Sequence, residues 1–280
     1  MKLAKIKERW KSLKEPKINN LIRYSFLRFK VLCSGDYQYF DKKLGISYFL
    51  YRDSFQLWSN SFFQTEPLLK AFLSLMKDNE QCLFIDIGAN QGLYSLAISQ
   101  RNIDTIAFEP VPETLNKLYK NLSLIPYPKV SVINHPLSNH KKIVSMTTHD
   151  KGSNRIVEPN LNNDYKLINT LTLRGEDIIS LIDIEKKYSK VFIKIDVERH
   201  ELSVLEGFGE SLQKIPELIV SVEYFSQENA FALYEKLSSI GLIPLNGNTL
   251  LPSTKFAVEE CSIDGSNLIF SNAKCFDLKP

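Results

Sequence analysis

Residues 84–95 read FIDIGANQGLYS. The run Leu83–Ile87 is apolar except for Asp86, the mark of a short buried strand. Gly88 then supplies a tight turn, and Gly92 opens a helix expected over about 92–100. Small residues let the backbone approach a ligand closely, and the helix start offers free N–H groups. An aspartate beside that turn suits a cationic or amine-bearing ligand better than a phosphate. The spacing Gly88-Ala-Asn-Gln-Gly92 also departs from the G-x-G-x-x-G of dinucleotide sites, and the phosphate loop G-x-x-x-x-G-K-[ST] is absent.

Working outward, strands are expected at Thr105–Phe108, Val130–Ile133, Val191–Ile195, Leu218–Val222 and Asn267–Phe270. Helices are expected near 112–122, 200–207 and 228–240. Strands alternating with helices make an α/β fold with a parallel sheet covered on both faces. Ligands on such sheets bind at the carboxyl ends of the strands. Glu109 stands at one such end, 17 residues after Gly92, where a carboxylate can accept hydrogen bonds from ribose hydroxyls. Asp86 and Glu109 together point to S-adenosylmethionine rather than a nicotinamide dinucleotide. The bland alternative has Asp86 capping a helix and Glu109 as a solvated strand end.

A second signal is FIKIDVERHEL at residues 192–202. Asp196, Glu198, His200 and Glu201 gather four ionisable groups at a strand's carboxyl end. His200 or a carboxylate could serve as general base toward a hydroxyl. The cluster could instead hold a divalent metal, or its glutamates could simply offset a helix dipole. Glu223, at the end of the next strand, either joins this group or faces solvent. His135 and His140 read as loop residues.

FIDIGANQGLYS, AFEPVPETLNKLYKNL, FIKIDVERHELSVLEGF and PELIVSVEYF together resemble the FkbM family of S-adenosylmethionine-dependent methyltransferases over about residues 80–240. The resemblance implies a class I (Rossmann-like) methyltransferase fold: a seven-stranded, mostly parallel sheet whose last strand is antiparallel. It implies methyl transfer, typically to oxygen, on a sugar, polysaccharide or natural product. It would place Asp86, Gly88, Ala89, Asn90 and Gly92 at the methionine end of the cofactor and Glu109 at the ribose. Leu137 and Ser138 would lie near the adenine, Asp196 near the amino or sulfonium region, and Gly152-Ser153-Asn154 beside the cofactor. Asp196, His200 and Glu201 are the expected catalytic residues. One position departs from the family pattern: Arg199 stands where the family carries glycine. Arginine is at odds with a left-handed turn, so it either points out toward a phosphate or carboxylate of the acceptor or marks a remodelled site.

The 280 residues, 44% hydrophobic and 24% charged, exclude wholesale disorder. Cys33, Cys82, Cys261 and Cys275 show neither disulfide nor zinc spacing, which fits a reducing, cytoplasmic setting. Residues 1–30 carry ten basic and two acidic side chains, so the net charge of +3 leaves the remaining 250 at −5. We expect a basic helical extension at 1–35, broken at Pro16, and a methyltransferase domain at 36–280 with an insertion at about 140–190. The aromatic run from Tyr37 to Phe63 is expected as core rather than cleft. The expected partner is a small-molecule or glycan acceptor. No nucleic acid is expected, since the Asn/Asp-Pro-Pro-aromatic motif of base-flipping enzymes is missing. At most weak membrane contact is expected through the basic head. A non-catalytic S-adenosylmethionine-binding protein and a nicotinamide oxidoreductase are the alternatives.

Overall fold

The computed structural model describes residues 15–52, 67–76, 81–148, 154–157, 166–253 and 257–272. The chain groups into two units, Met1–Glu66 and Pro67–Pro280, divided later in the chain than the boundary at residue 35 proposed from the sequence. The first unit holds helix α1 (Glu15–Ser34) and a hairpin of β1 (Tyr37–Asp41) and β2 (Ile46–Leu50). Pro16 lies in the first turn of α1, where a missing N–H breaks no helical bond. The helix then runs unbroken to Ser34, longer than the sequence suggested. In the hairpin Tyr39 faces Tyr48, with the two rings packed edge to face at 5.6 Å. Tyr39, Tyr48 and Tyr51 are buried while Phe40 is exposed. Those three tyrosines are core, as expected. Leu3, Ile6, Trp10 and Leu13, and Phe55, Trp58, Phe62 and Phe63, lie outside the described residues.

The second unit runs α2 (Pro67–Leu75), β3 (Cys82–Ile87), α3 (Leu93–Ser99), β4 (Asp104–Phe108), α4 (Pro112–Leu122) and β5 (Val130–Ile133). It continues through β6 (Ile143–Thr148), β7 (Ile156–Val157), β8 (Lys166–Leu171), α5 (Gly175–Leu181), α6 (Ile184–Lys187) and β9 (Lys190–Ile195). After these come α7 (Glu201–Phe208), α8 (Ser211–Lys214), β10 (Glu217–Glu223), α9 (Gln227–Ser239), β11 (Ile243–Pro244), α10 (Val258–Cys261), β12 (Ser262–Ile263) and β13 (Asn267–Ser271). Seven strands form the main sheet in the order β11-β13-β10-β9-β3-β4-β5, with the short β12 beside β13. The run from β10 to β5 is parallel, and β13 is antiparallel to both its path neighbours. This is the class I methyltransferase arrangement that the resemblance implied.

Period-two alternation assigns the sheet's two faces. Phe84 of β3 and Phe192 of β9 are register partners. Both pack against Phe72 of α2, at 5.8 and 5.6 Å between ring centres. Ile85 and Ile193, one residue on, join the other core with Ile178, Val204, Phe208 and Leu233 from α5, α7 and α9. Strands buried on both sides need near-continuous apolar sequence, which is why β3 and β9 were legible.

The insertion folds as a separate antiparallel sheet, β7-β6-β8. Here the sequence reading needs correction. β8 runs from Lys166, just past the stretch 151–165 read as polar and turn-rich, to Leu171; it starts four residues ahead of the strand expected at Thr170–Leu173 and ends two before it. Its side chains are exposed or half-exposed throughout, so no apolar period marks it. The α5 helix was not anticipated. Among the described residues no helix is long and apolar enough to cross a membrane.

The chain reverses strand order between β3 and β9, and ligands of parallel sheets settle at such a switch point. Gly88 is what lets the two strand ends meet. Its φ is 82°, and a Cβ there would stand 1.8 Å from the backbone oxygen of Asp196. The amide of Asp196 in turn donates to the oxygen of Ile87 at 3.0 Å. We predict that Gly88→Ala costs more than about 2 kcal/mol of stability. Gly241→Ala, at a similar φ of 76° but with nothing within 4 Å, should cost about 1 kcal/mol. Thermal melting of the two variants checks the ranking, and equal melting temperatures would refute it.

Candidate active site

Asp86, second from the end of β3, is almost fully buried. Ser95 of α3 donates to its Oδ2 at 2.7 Å, while Oδ1 has no hydrogen-bond partner. Lys194 Nζ stands 3.9 Å from that oxygen. Burial pushes the Asp86 carboxyl up by more than Lys194 and Ser95 bring it down. The following turn is fastened to its neighbours. The amides of Gly88 and Ala89 both donate to the oxygen of Phe108 on β4, at 3.1 and 2.9 Å. Asn121 Nδ2 of α4 donates to the oxygen of Gln91 at 2.8 Å. Glu109, one residue past β4, accepts from the amide of Asn90 at 3.0 Å and from that of Val111 at 2.9 Å. Its burial raises the carboxyl to about 7 despite those two amides.

Across the switch point, Lys194 is buried near the end of β9. Its Nζ donates to Asp196 Oδ2 at 2.8 Å and sits 5.0 Å from the centre of the Tyr94 ring. Burial works against the ammonium, yet Asp196 and Asp86 together hold it above the usual lysine range. Burial likewise opposes the Asp196 carboxylate, and Lys194 overcomes this and holds it below its ordinary value. Glu223, at the end of β10, hydrogen-bonds to Asp196. Burial and the Asp196 charge push it up to about 9, so it carries a proton at neutral pH. Glu223 thus joins the acidic group.

The turn after β9 holds two adjoining non-glycine residues in the left-handed region, Glu198 at φ 54° and Arg199 at φ 78°. The glycine-like conformation therefore survives with arginine in it, contrary to expectation. Glu201 supplies the fastening: its Oε1 accepts from the amides of Val197 and Arg199 at 3.2 and 3.1 Å. The Arg199 side chain points outward, its guanidinium carbon 5.0 Å from the centre of the Phe225 ring. His200 Nε2 meets Ser138 Oγ at 2.9 Å, and burial, aided by Lys142, lowers the imidazole's pKa. Ser138 lies beyond β5, and α7 reaches it closely because Gly207 has no side chain; a Cβ there would be 2.1 Å from the oxygen of Ser138.

The sequence-derived residues therefore form two groups. Asp86, Asp196 and Glu223 share Lys194, while His200 joins Ser138 and has no hydrogen bond to Asp196. Asn154 is among the described residues, whereas Gly152 and Ser153 lie outside them. Among the described residues no three His, Cys, Asp or Glu side chains are placed to hold a metal ion; a lysine occupies the middle of the acids. Sequence reading missed Lys194, although a lysine inside an apolar strand between two acidic strand ends was its signal. It also missed Asn121, fully buried in α4.

The sulfonium nucleoside expected from the sequence fits this arrangement. Asp86 Oδ1 and Asn90 Oδ1 are buried without hydrogen-bond partners, one on each side of the Gly88 turn. Two carboxylates facing one lysine leave a negative excess suited to a cation. Glu109, once ionised, has lone pairs beyond those used by its two amides.

The family model for the methyltransferase FkbM domain matches residues 86–242. Hexuronic acid methyltransferase AglP of Haloferax volcanii is 26% identical over 150 residues, covering 54% of this chain and 59% of that protein. The matched region thus spans less than two thirds of its curated relative. Among solved structures, a SAM-dependent methyltransferase of Agrobacterium tumefaciens aligns over 85% of this chain and 69% of that one, at 9% identity and a TM-score of 0.40. A precorrin-6y C5,15-methyltransferase of Geobacter metallireducens aligns over 73% and 85%, at 13% identity and 0.40.

Two predictions follow from the geometry. If the ionised Glu109 carboxylate takes ribose hydroxyls, S-adenosylmethionine affinity should fall as pH drops below about 7, by up to about tenfold per pH unit. Glu109→Gln should flatten that dependence, and calorimetric titration of both proteins from pH 8 to 6 reads the difference. The carboxyl's raised value also works against the fold as pH rises through about 7, since its stabilising share belongs to the protonated form. Second, the left-handed backbone at residue 199 makes Arg199→Gly more stable than Arg199→Ala by about 1 kcal/mol. An ordinary turn would give the opposite order, so denaturant melts of the two variants decide it.

Proposed function

The chain belongs to the FkbM methyltransferase family, whose methyl donor is S-adenosylmethionine, and we propose that it methylates a hydroxyl oxygen of a sugar or glycan. The donor supplies an electrophilic methyl group on a positively charged sulfur. The observation that carries the reading is the ionised Asp196 carboxylate, 2.8 Å from a buried lysine and directly behind the Gly88 turn. The sugar acceptor is supported by the curated relative, whose name gives hexuronic acid as its substrate.

In this reading Asp86 and the Gly88–Gly92 turn hold the methionine end, Glu109 takes the ribose, and Ser138 borders the adenine. Asp196, half-exposed toward the strand ends, accepts the acceptor's hydroxyl proton as the new bond forms. A carboxylate held low is a weak base, so positioning of the hydroxyl does more than basicity. Lys194 keeps Asp196 ionised and aimed, and the protonated Glu223 occupies its other side. His200, neutral and tied to Ser138, shapes the adenine wall instead of removing a proton. Glu201 positions the turn that carries both.

The test is methyl transfer from labelled S-adenosylmethionine to a panel of glycosides, followed by mass spectrometry. Asp196→Asn should lower kcat by about a hundredfold or more, with the donor still bound. His200→Ala should act mainly on the KM for the donor. Full rates in both variants would overturn the residue roles. Donor binding with no product on any hydroxylated acceptor would overturn the activity.

A further inference from the structure

We propose that Arg199 and Phe225 form the acceptor subsite, a cation and an aromatic ring that together select a sugar bearing an anionic group. This rests on the sugar-methylating reading above and adds to it which residues choose the acceptor. Three observations carry it.

The first is location. Arg199 follows β9 and Phe225 follows β10, so both stand on the carboxyl edge of the sheet, three and two residues beyond Asp196 and Glu223. The acceptor has to arrive at this edge for its hydroxyl to meet Asp196.

The second is that the pair is poised and uncommitted. Phe225 is 51% exposed, a large apolar ring left open next to a polar cluster. The Arg199 guanidinium carbon lies over its ring, 5.0 Å from the centre. Among the described residues Arg199 makes no ion pair, although the half-buried Glu198 senses both it and Arg155 from the insertion. Arg199 and Arg155 thus both act on the half-buried Glu198 beside the acidic site, and neither makes an ion pair among the described residues. A flat aromatic face suits the C–H face of a pyranose, and a planar guanidinium suits the two oxygens of a carboxylate or phosphate.

The third is strain. Arg199 holds a left-handed φ of 78° beside another left-handed residue, a conformation that costs a side-chain-bearing residue energy. Glycine would hold this turn without that cost, and among the described residues the arginine side chain has the Phe225 ring and the Glu198 charge as its partners. Strain of this kind gathers where function over-determines the chain. The guanidinium and the acidic cluster also divide the charge sensibly: carboxylates below for a cationic donor, cations above for an anionic acceptor.

The experiment uses the full chain saturated with S-adenosylhomocysteine and titrated with three probes: methyl glucoside, methyl glucuronoside and methyl glucoside 6-phosphate. Wild type should bind at least one anionic probe about ten- to a hundredfold more tightly than the neutral one. Preference for the glucuronoside alone assigns the subsite to carboxylates, and preference for the phosphate alone assigns it to phosphosugars. In Arg199→Gly, a variant the backbone accepts, the ratio should collapse to within about threefold of one. Phe225→Ala should weaken all three probes together. Equal affinities in wild type, or no binding of any probe, or a ratio retained in Arg199→Gly, overturns the proposal. Replacing the homocysteine product by S-adenosylmethionine in the same samples separates the two readings. Methylated product without anion preference sinks the subsite alone, whereas anion preference without product sinks O-methylation and leaves the subsite standing.

Discussion

A single buried ammonium organises the centre of this protein. Lys194 lies between the carboxylates of Asp86 and Asp196, the terminal acids of the two strands that flank the sheet's switch point. Taking three charges out of water is costly, and one lysine cannot match two aspartates. The contacts divide unevenly: Asp196 is bonded at 2.8 Å and held low, while Asp86 is at 3.9 Å and held high. The protonated Glu223 relieves part of the excess by donating where a second carboxylate would repel. What remains is an unmatched negative potential behind the Gly88 turn. An isolated protein stores this as instability, and a bound cation would release it. The shared centre of these acids is occupied by a lysine.

The turn at residues 197–200 is held by a different device. Glu201 belongs to the first turn of α7, and its carboxylate reaches back to the amides of Val197 and Arg199. A carboxylate at the first helical position thus accepts from amides of the preceding turn and holds two left-handed residues in place. It frees the fold from needing glycine at residue 199. The side chain that stands there is exposed and rests on Phe225. On the proposed reading Glu201 positions the turn, since one of its oxygens is spent on amides and the other is buried.

How much of this was legible depended on burial. The strands β3, β9 and β10 are apolar because both faces are covered, so their ends and the acids on them could be named to within a residue or two. The exposed strand β8 alternates between exposed and half-exposed side chains and carries no such period. Asp86 and Glu109 were readable because an acid at the end of an apolar strand is unusual. Lys194 was missed for a physical reason: a lysine in a strand is ordinarily an edge or surface residue, and only the three-dimensional register that sets it between Asp86 and Asp196 makes it central. The partner of His200 was not legible either: three residues separate it from Asp196 along the chain, yet past the left-handed pair Glu198-Arg199 its ring meets Ser138.

The two devices divide one problem between them. On the proposed reading, a cationic methyl donor and a hydroxyl acceptor meet at one strand edge, yet the potential that attracts the first repels an anionic form of the second. Burying the acids with their lysine confines the negative field, because a pair taken into low dielectric acts strongly at short range. Charges held at the solvent edge act on whatever approaches from water and are screened over about 8 Å. With Arg199 exposed and Lys194 and Asp196 beneath it, the short stretch 194–199 presents opposite signs at different depths, which suits the two ligands of the proposed reading. Glu198 and Arg199 end this stretch, and their left-handed backbone accompanies a guanidinium that rests on Phe225 while Lys194 keeps the Asp196 oxygen.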